Sequence, residues 1–179
     1  KNNHIGVPFS MLNMQNTHKT SVIEIGTSQV GEIKSLTNLV KPNIAAITNV
    51  SAGHLDGLKD TDSIAHEKGD ILQFHDPEGI AVLPRDSEFF NFWSDTTNAS
   101  KIVSFGFHEL SDFRVVNPSI DIENNLTSFN LVNNDLIEKC SLNGLGIHNS
   151  LNAAMGLAIC SILGLDLSEV KSGLLSVNF

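Results

Sequence analysis

Three polar side chains stand where the hydrophobic pattern asks for something else, and together they suggest one chemistry. Glu24 lies near the end of the β-branched apolar run 20–26. His54 follows the apolar run 44–50, whose tip carries Thr48 and Asn49, within a Ser-Ala-Gly loop. Lys68 falls between Ile64 and Ile71 on the apolar stripe of a helix expected to start among Asp60, Thr61, Asp62 and Ser63, all good capping types, and to reach about Phe74. A carboxylate and an imidazole suit a divalent cation, Mg2+ or Mn2+, that orients phosphate oxygens. An ammonium is a poor metal ligand and is costly to bury. An amine that takes up carbon dioxide becomes a carbamate with two anionic oxygens, which would account for a lysine in that stripe.

Each residue also has a plainer account. Lys68 can lay its methylene stem along the core and lift its amine into water. Glu24 can face solvent from an edge strand. What links the three is position: each lies at the end of an expected strand or just beyond it, where open α/β sheets bind ligands.

The elements that must hold them follow from periodicity. A short helix is expected over residues 9–14, after a loop-like stretch holding Asn2, Asn3 and Gly6. A strand over 20–26 leads to a helix over 31–40, with Ile33, Leu36 and Val40 on one face, and then to a strand over 44–50. After the Lys68 helix come a strand over 79–83, a helix over 87–95 carrying Trp93, and a strand over 101–105. This alternation predicts an α/β fold, a mostly parallel sheet flanked by helices. From 113 to 142 the texture changes to short strands at 114–116, 119–123, 126–132 and 136–142, separated by Asn124-Asn125 and Asn133-Asn134, as in a small antiparallel subsheet. A helix with Leu151, Ala154, Met155, Ala158 and Ile162 as its buried stripe ends at Gly164, and a short helix over 168–175 closes the chain. Asn149 and Asn152 share a face early in the longer helix; their amides suit the edge of a nucleotide base, and equally a helix cap.

Composition narrows the field. With 179 residues, 41% of them hydrophobic, one substantial domain is expected. A net charge of -9 disfavours a nucleic-acid surface. Cys140 and Cys160 form no framework and no apolar run is long enough for a bilayer, so a reduced, cytoplasmic setting without membrane insertion is expected. The start at Lys1 suggests a piece of a longer protein.

Five ordered segments then carry a resemblance: Asn3-His-Ile-Gly-Val-Pro, Val22-Ile-Glu-Ile-Gly, Thr48-Asn-Val-Ser-Ala-Gly-His-Leu-Asp-Gly, Ala65-His-Glu-Lys-Gly-Asp-Ile and Gly146-Ile-His-Asn-Ser-Leu-Asn-Ala-Ala. In this order they resemble the central, ATP-binding domain of the Mur ligases, over nearly the whole chain. Gly53 before His54 and the Glu67-Lys-Gly-Asp-Ile stretch are similar to the branch that joins D-alanyl-D-alanine to UDP-N-acetylmuramoyl-tripeptide in peptidoglycan precursor synthesis. The resemblance implies an ATP-dependent amide ligase: ATP phosphorylates a substrate carboxylate, and an amine attacks the acyl phosphate. It further implies Glu24 and His54 as Mg2+ ligands, Lys68 as the carbamylated lysine and a third ligand, His148, Asn149 and Asn152 at adenine, and Asn3 near the substrate.

The chain departs from the family in two places. No Gly-x-x-x-x-Gly-Lys-Ser/Thr phosphate loop occurs, and Thr27-Ser28 replaces the branch's frequent Ala-Asn. A lone central domain, 1–179, without the phosphate loop upstream or the C-terminal amine-binding domain, is therefore expected to be inactive by itself. A folylpolyglutamate or cyanophycin type of ligase, or a non-catalytic nucleotide-binding homologue, are the other readings of the same segments.

Overall fold

The computed structural model describes residues 2–50 and 60–176. Six strands form one sheet in the order β1-β2-β3-β4-β5-β6, with β1 at Ile44–Ala46, β2 at Ile80–Pro84, β3 at Lys101–Gly106, β4 at Phe113–Asp121, β5 at Leu126–Asn133 and β6 at Leu136–Asn143. The parallel half is set by its backbone bonds. Ile80 N donates to Asn43 O (2.9 Å) and Ile47 N to Val82 O (3.1 Å), so β1 and β2 run the same way. Ser100 N to Gly79 O and Arg85 N to Phe105 O, both 2.8 Å, do the same for β2 and β3. β3 and β4 are parallel over Phe105↔Phe113 and Gly106↔Arg114, whereas β4-β5 and β5-β6 are antiparallel. The α/β class and the antiparallel subsheet are those the sequence predicts.

By contact the chain divides into two compact units. The first comprises the described parts of residues 1–45, 49–80 and 91–101. It holds α1 (Gly6–Leu12), α2 (Glu32–Val40), α3 (Thr61–Gly69) with a 3-10 turn at Asp70–Leu72, and most of α4 (Phe90–Thr96). Ile33 and Leu36 of α2, Ile64 and Ala65 of α3, Leu72 of the turn and Trp93 of α4 are buried. Fully removing such aliphatic and aromatic side chains from water is worth about 1.5–3 kcal/mol each.

The second unit comprises residues 46–48, 81–90 and the described part of 102–179. There α5 (Ile147–Ile162) packs on β4 and β5, and α6 (Leu167–Val170) leads into a 3-10 turn at Lys171–Ser176 that packs on β6. Alternation places Thr127, Phe129 and Leu131 of β5 inside, beside Val115 of β4 and Cys140 and Leu142 of β6. Asn125 (φ 52°) and Asn134 (φ 52°) take the left-handed conformation their hairpin turns need.

Four sequence expectations are corrected. The strand predicted over 20–26 does not form; Val22 is 93% exposed, and strand propensity becomes structure only where neighbouring strands pair and pack. The strand predicted over 44–50 is assigned only at Ile44–Ala46. The first helix starts at Gly6, not Phe9, since Pro8 fits within a first helical turn. The runs 114–116 and 119–123 belong to one strand, β4, with a register shift between Val116 and Ser119, where Asn117 has φ 50°.

Candidate functional site

Lys68 owes its position to the ends and the packing of α3. Asp60, in extended conformation, caps the helix by accepting from Ser63 N at 2.7 Å. Farther along, Trp93 is fully buried and donates Nε1–H to the carbonyl of Ala65 at 2.9 Å. A Cβ on Gly69 would lie 3.3 Å from Trp93 Cδ1, so the glycine lets the indole lie close against the turn that bears Lys68. Lys68 is half-buried, and its Nζ donates to the carbonyl of Asn49, just past β1, at 2.7 Å. Burial lowers the amine's pKa from its ordinary 10.5. The amine is therefore docked on backbone, and its neutral form is favoured relative to free lysine.

Glu24 is exposed and lies outside any strand. Asn2 holds it. Asn2 Nδ2 donates to Glu24 Oε1 at 2.8 Å, and Asn2 O accepts from Gly26 N at 2.8 Å. A Cβ on Gly26 would meet the Asn2 carboxamide at 2.7 Å, so the glycine permits this clamp. Asn2, Ser10, Val22, Ile23 and Glu24 line an open cavity of about 300 Å³. Asn3, the residue expected near substrate, spends its Oδ1 locally on Ile5 N (3.2 Å) and Gly6 N (3.0 Å), the turn into α1. Glu24 and Lys68 make no ion pair with each other; each has its own partner. His54 lies outside the described residues. Among the described residues no three His, Cys, Asp or Glu side chains gather as a metal cluster.

Glu67 appears in the sequence only as part of a family-like stretch, with no role of its own. Glu67, beside Lys68, is only 4% exposed. Its Oε2 accepts from Gly31 N at 2.7 Å and its Oε1 from Ile33 N at 2.9 Å, which caps the start of α2. Thr27 Oγ1 is 3.4 Å from Glu67 Oε1, although its proton is better placed for Gln29 O at 2.8 Å. Glu32 fastens the same loop by accepting from Ser28 N (2.7 Å) and Gln29 N (3.1 Å), and the Ser28 bond is the main cause of its lowered pKa. Thr27 and Ser28, the departure from the branch pattern, thus take part in the loop's hydrogen bonds. The signal in the sequence was a carboxylate three residues after buried Ile64, masked by its sharing a polar tripeptide with His66 and Lys68.

In the second unit, Gly146 (φ 131°) precedes α5, and a Cβ there would come 2.4 Å from His148 Cε1. Asn149 is buried, with Nδ2 donating to Leu145 O at 3.2 Å and its backbone N–H to Gly146 O at 2.9 Å. His148 and Asn152 are exposed. The buried stripe of α5 is Ser150, Ala153, Ala154, Leu157 and Ala158, turned slightly from the one the sequence suggests.

The sheet order and its flanking helices define an α/β class of domain, and comparison with known proteins gives the family. The Mur ligase middle domain model matches residues 1–160, and this chain belongs to that family. The UDP-N-acetylmuramoyl-tripeptide--D-alanyl-D-alanine ligase of Buchnera aphidicola subsp. Baizongia pistaciae is 30% identical over 98% of this chain and 38% of its own length. The ligase of the same name from Buchnera aphidicola subsp. Acyrthosiphon pisum is 33% identical over 97% of this chain and 38% of its own length. A crystal structure of MurF from Acinetobacter baumannii matches with TM-score 0.90 at 27% identity, over 99% of this chain and 38% of that one. The chain thus spans about 38% of the length of these relatives. No helix among the described residues is long and apolar enough to cross a membrane.

Proposed function

We propose that residues 1–179 are the ATP-using central domain of a cytoplasmic ligase that joins D-alanyl-D-alanine to UDP-N-acetylmuramoyl-tripeptide. Family membership supports the ligase class, and the names of the relatives support the substrates. The observation that carries the reading within this chain is Lys68, held on Asn49 O with its protonated form disfavoured. A neutral lysine amine attacks the carbon of carbon dioxide; an N–C bond forms, a proton passes to solvent, and a carbamate monoanion results. That carbamate keeps one N–H, enough to preserve the bond to Asn49 O, and gains two oxygens.

The donor set fits magnesium in kind: Glu24 and a carbamate on Lys68 offer the hard oxygens this ion prefers, and His54 would add a nitrogen. When bound, magnesium supplies charge neutralisation at phosphate oxygens. Asn2 orients the Glu24 carboxylate, and Asn49 O holds the Lys68 nitrogen. His148, Asn149 and Asn152 are assigned to adenine, with Asn149 offering its remaining oxygen and Asn152 its solvent-facing amide. Asn3 is assigned to the substrate through its Nδ2, its oxygen being committed to the α1 turn.

The test is an assay of the full-length protein with ATP, Mg2+, UDP-N-acetylmuramoyl-tripeptide and D-alanyl-D-alanine. Phosphate release that depends on D-alanyl-D-alanine is expected. Release that depends instead on a different amine acceptor, or none with any, overturns the reading.

A further inference from the structure

We infer that Glu67 is a positioning residue for the metal site, fixing the segment that follows Glu24 to the helix that bears Lys68. The inference deepens the proposed function and rests on it. Glu67 and Lys68 are consecutive on α3, and they point to different tasks: Lys68 reaches Asn49 O, and Glu67 turns inward to take Gly31 N and Ile33 N. The loop so captured begins directly after Gly26, two residues beyond Glu24. At its front end the same segment is held by Asn2, through Glu24 Oε1 and Gly26 N. Glu24 is thus tied on one side to Asn2 and on the other, through residues 27–31, to the carboxylate adjoining Lys68.

A capping role alone does not require this arrangement. The loop already has its own anchor in Glu32, which accepts from Ser28 N, Ser28 Oγ and Gln29 N. Helix starts are ordinarily capped by a nearby residue at small cost, whereas Glu67 comes from 34 positions away in sequence to Ile33 N and is 4% exposed. Burying a carboxylate for this purpose is expensive unless its bonds are charge-assisted, and here each oxygen accepts from one backbone N–H. Its particular effect is a direct side-chain link from α3 to the loop that continues the Glu24 segment. Groups that orient metal ligands from behind typically change metal affinity by 10–100-fold when removed.

The test uses the full-length protein loaded with bicarbonate, with Mn2+ as the probe in electron paramagnetic resonance titrations and 13C-labelled carbon dioxide to observe the lysine carbamate by NMR. Glu67→Ala is expected to weaken Mn2+ binding by about 10-fold or more. Glu67→Gln, which keeps the length and one neutral acceptor, is expected to fall between Glu67→Ala and the unmutated protein. Both are compared at a temperature where circular dichroism shows them folded; should Glu67→Ala not fold, Glu67→Gln decides. A merely structural role lowers the melting temperature while leaving Mn2+ affinity unchanged in the folded variants, and that result overturns the inference alone. Absence of both the carbamate signal and Mn2+ binding in the unmutated protein overturns the proposed function, and the inference with it.

Discussion

The amine of Lys68 donates to the carbonyl of Asn49 at 2.7 Å, joining the last turn of α3 to the residue three beyond the end of β1. Burial lowers the amine's pKa from 10.5, so folding disfavours its proton. In the alkaline window between the lowered folded value and 10.5, the unfolded chain holds a proton that the folded chain has released. Stability therefore rises with pH across that window, and below it the full burial penalty is felt. Lys68→Met keeps the apolar stem and abolishes the titration. Urea unfolding measured at increasing alkaline pH should show the unmutated chain gaining on Lys68→Met; parallel curves would refute the burial argument.

Gly69 and Trp93 set a second expectation. Alanine in a helix is favoured over glycine by roughly 0.5–1 kcal/mol, so Gly69→Ala would stabilise an isolated helix. Here its Cβ would press on Trp93 Cδ1 at 3.3 Å, and Trp93 is fully buried and bonded to Ala65 O. Any shift of the indole would strain both its packing and that bond. Overpacking of this kind costs about 1–3 kcal/mol, so net destabilisation is expected, larger still for Gly69→Val. Chemical denaturation followed by circular dichroism measures it, and a more stable Gly69→Ala would show that the indole yields.

Much of this arrangement could be read from residue patterns, and the exceptions share a cause. The Asn-Asn turns at 124–125 and 133–134, the alternation on β5 and the cap at Asp60 are local effects, written in a few neighbouring residues. Run 20–26 has strand propensity, but propensity does not supply a pairing neighbour. Glu67 was missed because its partners, Gly31 and Ile33, lie more than thirty residues earlier and offer only backbone N–H groups, which every sequence position but proline possesses. Asn2 was missed for a related reason: an amide in a loop looks the same whether it faces water or a carboxylate.

Asp86 and Gly106 provide a coupled pair in the second unit. Asp86 accepts from Phe107 N at 2.7 Å and His108 N at 2.8 Å, while a Cβ on Gly106 would fall 2.3 Å from Asp86 Oδ2. Asp86→Ala should cost about 1–3 kcal/mol through the two lost charge-assisted bonds. Gly106→Ala, at φ 157°, should displace the same carboxylate and lose the same bonds. The double variant is then expected to cost clearly less than the two single costs added together, in a denaturation cycle. Simple additivity would mean that the glycine acts only through its backbone.

Cys140 is expected to be chemically quiet. It is 2% exposed, and burial pushes its thiol up to about 11. Near pH 8 only about one molecule in a thousand would carry the reactive thiolate, and access is blocked as well. Cys160, half-buried on α5 with a thiol also raised by burial, is less enclosed. Iodoacetamide labelling of the folded chain, read by mass spectrometry, should modify Cys160 first and Cys140 only on unfolding. Early labelling of Cys140 would contradict the packing of β6.

Gly146 and His148 offer a test of the adenine assignment that is separate from the metal. The imidazole lies over the glycine so closely that a Cβ would approach Cε1 to 2.4 Å, and the backbone there, at φ 131°, disfavours any other residue. Gly146→Ala should therefore swing His148 away and disturb the first turn of α5, where Asn149 N donates to Gly146 O. His148→Ala removes the ring without touching the backbone. If the imidazole lies at the base, both variants should weaken ADP binding to the full-length protein by calorimetry, by about 1 kcal/mol or somewhat more, the scale of one aromatic contact. If only Gly146→Ala has an effect, the backbone at the start of α5 matters and the ring does not, and His148 must be withdrawn from the site.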